Sequence, residues 1–193
     1  MMRAFRSPVP WLLVALMLLL PLPAAGGGAS VPVALQAKLM AKVAGYDRNL
    51  PARAGGRVRV GILTVPGNAG SERAAAQLKR ALGAIDKIGG LAHEEVSLSY
   101  SGAPQLAKSC KRDKIAILYV TPGLSDHIGK VRAALSGVSI LSVAAEAGYV
   151  EDGIVLGFEL VSGKPKLVVN LPQAKRQKVN FSAGVLKLMK VIK

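Results

Sequence analysis

The chain has 193 residues, 26 Lys and Arg against 11 Asp and Glu, a formal net charge of +15 and one cysteine. A single cysteine excludes an intrachain disulfide, and the length fits one domain with a sizeable core. The basic excess favours anionic partners, but the aromatic residues beyond the N-terminal region (Tyr46, Tyr100, Tyr119, Tyr149, Phe158 and Phe181) are too scattered for the base-stacking platform of a nucleic-acid binder.

The N-terminal stretch carries Arg3 and Arg6, then an apolar run from Trp11 to Leu20, then Pro, Ala and Gly. This order predicts a secretory signal peptide over 1–29, cut between residues 25 and 31. The run is shorter than the roughly 20 residues of a membrane span, and no later segment reaches that length. A soluble, exported domain over 30–193 is the expectation, located in the periplasm.

From there, "VALQAKLMAKVAGY" brings Val33, Leu35, Leu39, Met40 and Val43 together at helical spacing, and Pro51 with Gly55 and Gly56 breaks the pattern. "RVRVGILTV" reads as a strand entering a core. Ser71 is a plausible N-cap for a helix running on to Ile88, with Leu78, Leu82 and Ile85 on one face. "EEVSLSYS" alternates as a half-buried strand, and "APQLAKSCKRD" suits a short helix. "KIAILYVT" and "VSILSVAA" are near-continuous apolar strands of the kind buried on both faces, separated by a helix that Ser125 can cap. "GIVLGFELVSGKPKLVVNL" holds two strands around Ser162-Gly163, a hairpin signal. "QAKRQK" is expected as a connection and a helix from Ser182 onward as the last element. Strands alternating with helices, closed by a hairpin and helix, predict a single α/β domain with a mainly parallel sheet covered on both faces.

Chemistry-bearing patterns are few. His93 and His127 are distant and Cys110 has no partner at ligand spacing, so no metal or other cofactor is expected. No G-x-S-x-G elbow is present, and the reading is of a protein that is not an enzyme. "TVPGNAGSE" is a Gly-rich turn opening a helix, in which Gly67, Asn68, Gly70 and Ser71 could hold an anion, although it lacks the phosphate-loop lysine. Cys110 lies among basic residues and reads as a small packing residue, with an intermolecular disulfide dimer as the alternative. The last 34 residues carry eight basic side chains and no acidic one. Lys175, Arg176 and Lys178 precede the final helix. On that helix Lys187, Lys190 and Lys193 would line one side, opposite Val185, Leu188, Met189 and Ile192. These six cations form a candidate partner-facing patch.

The stretch from Ser139 to Ile192 resembles the YfiR family of exported bacterial regulators. The resemblance rests on Asp152-Gly153-Ile154, Gly157-Phe158, Val169-Asn170, Ala174, Ser182, Leu186 and Leu188. Gly153 and Gly157 suit crowded backbone, and Asn170 before Pro172 suits the start of a helix. The resemblance implies a non-enzymatic periplasmic protein that binds the periplasmic portion of an inner-membrane signalling protein, a diguanylate cyclase or sensor kinase, and modulates its activity within cyclic-di-GMP signalling. Two features depart from the family: its redox-tuning cysteine pairs are reduced here to Cys110, and its Trp-Pro helix end is here Leu50-Pro51. The rival expectation is a small exported solute-binding protein for an anionic ligand, although such binders usually close two lobes on a hinge.

Overall fold

The computed structural model describes residues 30–193, so the expected signal peptide lies outside the described residues. The elements are α1 (Val33–Ala44), α2 (Leu50–Ala54), β1 (Arg57–Thr64), α3 (Ala69–Leu82), β2 (Ala92–Ser99), α4 (Ala103–Arg112) and β3 (Ile117–Val120). A 3₁₀ turn (Ser125–His127) leads into α5 (Ile128–Leu135). Then come β4 (Leu141–Ala144), α6 (Gly148–Glu151), β5 (Leu156–Val161), β6 (Lys164–Asn170), α7 (Leu171–Arg176), α8 (Ala183–Leu186) and β7 (Met189–Ile192).

They build one seven-stranded sheet in the order β2-β1-β3-β4-β5-β6-β7. β1 to β5 are parallel, β6 returns antiparallel to β5, and β7 runs parallel to β6. β3 and β4 are buried at every residue, as their continuous apolar runs require. On one face Met40 of α1 and Leu78 and Leu82 of α3 pack with Val58, Val60, Tyr119 and Phe158. On the other, Leu106 and Cys110 of α4, Ile128 and Val131 of α5 and Tyr149 of α6 pack with Leu118 and Val120. The expected α/β class, with helices on both faces and a C-terminal hairpin, is the observed one. Ser162 and Gly163 both take positive φ, 50° and 74°, as a two-residue hairpin turn demands.

Several local expectations need correction. The helix after β1 begins at Ala69, capped by Asn68, whose side-chain oxygen accepts from Ser71 N–H. Ser71 is therefore inside the first turn. Ser125 makes no capping bond to the backbone. Pro51 opens the short helix α2 where a break was expected, because a first-turn proline sacrifices no intrahelical bond; Pro172 opens α7 behind Asn170, the helix start expected there. The closing helix is one turn, Ala183–Leu186, and the residues after it form β7. Pairing with β6 places Met189 opposite Leu167 and Val191 opposite Val169, so Met189 and Val191 pack inward. Leu188, expected on the buried side of a helix, is 72% exposed. Ser182 stands at the N-cap position of α8 without a side-chain capping bond, and Leu186 is half-buried.

The remaining signature residues are architectural. A side chain at Gly157 would collide with Val150 of α6, and one at Gly153 (φ +111°) with Arg132. Phe158 is buried in the core. Asn170 caps α7, accepting from Gln173 N–H at 3.0 Å and donating to Val150 O at 2.9 Å.

A basic cleft at the amino ends of the strands

In an open α/β sheet, ligands usually bind beyond the carboxyl ends of the strands, where the strand order reverses. Here that point lies between β1 and β3, and the Gly67, Asn68, Gly70 and Ser71 turn sits on it. Its polar groups are turned on one another. Ser71 Oγ accepts from Val65 N–H at 2.8 Å and lies 2.6 Å from Thr121 Oγ1, which donates to Leu63 O. Asn68 takes Ser71 N–H, the Glu72 carboxylate takes Gly67 N–H at 3.2 Å, and the Asn68 amide lies over Gly123. Further along the same end, Gln36 donates to Val31 O and Ala145 O and accepts from Tyr119 O–H. The turn thus spends the Gly67, Asn68 and Ser71 N–H groups on its own closure, and Glu72 adds a negative charge where an anion would sit.

The opposite end is open. Val60 of β1 stands beside Ile117 of β3, so the residues three places earlier, Arg57 and Lys114, fall at neighbouring strand entrances. Two adjoining cavities of about 600 and 530 Å³ open there, sharing Ala52, Arg53 and Lys114 in their linings. Arg57 and Arg59 contribute from β1, Lys111 from the end of α4, and Lys178 from the residues after α7. The lining residues include no carboxylate.

The cations differ in their commitments. Arg53 has a buried side chain and spans to Asp47 Oδ2 at 2.8 Å, Lys178 O at 3.1 Å and Ser139 Oγ at 3.3 Å. Arg59 bonds Glu94 at 2.6 Å and Asp113 O at 3.1 Å. Arg57 is half exposed, with Glu94 no nearer than 4.0 Å. Lys111, Lys114 and Lys178 are exposed and have no ion pair among the described residues. Beneath the cleft, Cys110 is buried, and burial, with the nearby Asp113 charge, pushes its thiol up to about 12. It is an unreactive packing residue, so its burial disfavours the disulfide-linked dimer.

The six sequence-predicted cations divide. Lys178 lines the cleft and Lys175 and Arg176 are exposed on neighbouring α7. Lys190 lies on β7 with Lys187 and Lys193 flanking that strand, and is bonded to Glu159 at 2.8 Å, which raises its pKa. Arg57, Lys111 and Lys114 were missed. Their sequence signal was basic residues just before two apolar strands, and only strand adjacency turns that into a site. His93 lies within β2, and no metal-binding group occurs among the described residues.

The structure is thus a one-sheet α/β domain with an open polar cleft at the amino ends of its strands. The family model described as YfiR/HmsC-like (DUF4154) matches residues 34–190, and the chain belongs to that family. Among solved structures it is similar to a conserved domain protein from Vibrio cholerae O1 biovar El Tor (TM-score 0.60, 16% identity, covering 86% of this chain and 62% of that one). It is also similar to the ABC domain in complex with L-Trp from Streptococcus pneumonia (0.58, 14%, 83% and 62%). A third is CD0873, a substrate-binding protein with adhesive properties from Clostridium difficile (0.54, 17%, 75% and 57%). The chain spans about three fifths of the length of these structures, and the likeness concerns the fold. A comparison with curated proteins gives no match.

Proposed function

We propose that the protein is a non-enzymatic periplasmic regulator that binds the periplasmic portion of an inner-membrane signalling protein, a diguanylate cyclase or sensor kinase, and modulates its output. The observation that carries this reading is the family match across residues 34–190, which supports a regulatory role over a catalytic one.

The partner-facing surface is the β7 edge of the sheet. β7 is the last strand in the order. Leu188 is exposed there beside Lys187, and Lys190 and Lys193 follow. An exposed apolar residue within a basic rim suits a partner with an acidic surface around an apolar contact, the rim charges speeding encounter and the apolar contact holding it.

The test is affinity capture from an envelope extract with the wild-type chain and with Lys187, Lys190 and Lys193 all reversed to Glu. The reading predicts recovery of a membrane cyclase or sensor kinase by the wild type and its depletion with the variant. Recovery of transporter permease subunits would support the solute-binding alternative instead.

A further inference from the structure

Lys114 and Lys178 share an uncommon backbone state. Each follows a helix, α4 or α7, in a Schellman closure. Ile115 N–H bonds Cys110 O at 2.9 Å and Lys114 N–H bonds Lys111 O at 3.2 Å; Val179 N–H bonds Ala174 O at 2.8 Å and Lys178 N–H bonds Lys175 O at 3.1 Å. This closure places the residue after the C-cap in the left-handed region, where glycine is the favoured occupant. After α6 the chain does use glycine there, Gly153, with Ile154 N–H on Tyr149 O at 2.8 Å. At the two closures that face the cleft it uses lysine, with φ of 49° and 55°.

Both lysine peptides are also clamped. Asn49 Nδ2 and Arg53 Nη2 donate to Lys178 O at 2.8 and 3.1 Å, and Arg59 Nη1 donates to Asp113 O, the carbonyl preceding Lys114. Compensation of the helix dipole accounts for Lys111 in the last turn of α4. It does not account for lysine in place of glycine at two unfavourable positions lining one cavity. Strained residues that surrounding structure over-determines are a mark of functional sites.

We propose that the cleft is a binding site for a multivalent phosphate-bearing anion, with Lys114 and Lys178 as its principal ligands and Arg57 and Lys111 completing the charge. Three ammonium groups without an ion pair among the described residues and a half-free guanidinium call for more than one negative charge, which a diphosphate or a phosphomonoester supplies and a single carboxylate does not. The cavities accommodate a phosphorylated small molecule or a phosphorylated lipid headgroup, which share this chemistry. The site goes beyond partner binding and does not depend on the partner's identity.

The test uses the purified chain, titrated with pyrophosphate by calorimetry at low salt and presented with vesicles containing phosphatidic acid. Lys114→Gly with Lys178→Gly is compared with a control double variant, Lys164→Gln with Lys166→Gln, on the distant β6. Wild type and control should bind pyrophosphate, the vesicles or both; the glycine pair should lose at least ten-fold in affinity. Because glycine suits both closures, its Tm should be unchanged or higher by up to about 4 °C. Binding to pyrophosphate alone identifies a soluble ligand, and binding to vesicles alone identifies a headgroup. No binding to either probe, equal loss in the control, or full affinity in the glycine pair would overturn the proposal.

Discussion

The side chain of Asp47 has none of its surface exposed, and three donors converge on it. Asn49 N–H and Asn180 N–H bond Oδ1 at 3.1 and 2.8 Å, and Arg53 Nη1 bonds Oδ2 at 2.8 Å. The residue ties the end of α1 to α2 and, through Asn180 and the bridge from Asp47 to Phe181, to the segment entering α8. Asp47→Ala would leave a buried guanidinium without its counter-charge, a loss of about 3–5 kcal/mol. In a domain of about 5–15 kcal/mol total stability, that is a fifth or more of the whole. Asp47→Asn keeps an oxygen for the two backbone donors but sets an amide N–H where Oδ2 accepted from Arg53, so it strands the same guanidinium and should be milder than Asp47→Ala only by the retained backbone bonds, about 1 kcal/mol each. Asp47→Asn combined with Arg53→Met removes the stranded charge and should be less harmful than Asp47→Ala. Urea unfolding followed by circular dichroism separates these values, provided the slope is constant across the set. An Asp47→Ala protein within 1 kcal/mol of wild type, or equal losses for the Ala and Asn variants, would refute the account of this strut.

Two further outcomes follow from burial. The Cys110 thiol, about 8.5 when unfolded, is raised to about 12 by burial and then by Asp113. The unfolded chain therefore releases this proton first: the contribution is intact below about pH 8.5 and falls above it by up to about 1.4 kcal/mol per pH unit until the folded thiol ionises. Urea midpoints at pH 8 and 10 should drop further for wild type than for Cys110→Ala; identical drops would contradict the burial argument. At the C-terminus, Leu188→Asp should change stability by less than about 0.5 kcal/mol because the side chain is exposed. Met189→Asp, which puts a carboxylate into the core beneath β6, should cost more than about 2 kcal/mol. Thermal unfolding of both variants checks the pair, and the reverse ranking would restore a terminal helix.

The sheet was legible in the sequence wherever burial was continuous or a turn was chemically marked. "KIAILYV" and "SILSVAA" allow only strands covered on both faces, and Ser162-Gly163 marks the hairpin between β5 and β6. The last element was ambiguous because Met189, Lys190, Val191 and Ile192 fit a helical stripe and a two-residue alternation over so short a run. The β6 edge decides it, and that edge is a tertiary fact. Pro51 was read as a breaker because proline's tolerance in a first helical turn depends on knowing where the helix starts, whereas Asn170 ahead of Pro172 marked the start of α7. The cleft was hidden for another reason. Arg57 and Lys114 meet only through the register of β1 against β3, and Lys178 reaches them by the return of the chain after β6. Asp47, Arg53 and Asn180 show no motif at all, since their link is made across the fold.

The most direct measurement of the regulatory account reconstitutes the captured signalling protein in proteoliposomes, with its periplasmic side outward, and follows its enzymatic output as the purified chain is added. The account predicts a change that saturates at a fixed stoichiometry. Charge reversal at Lys187, Lys190 and Lys193 should shift it to higher concentration, and the shift should shrink as salt rises. An output that stays constant across the titration would contradict it.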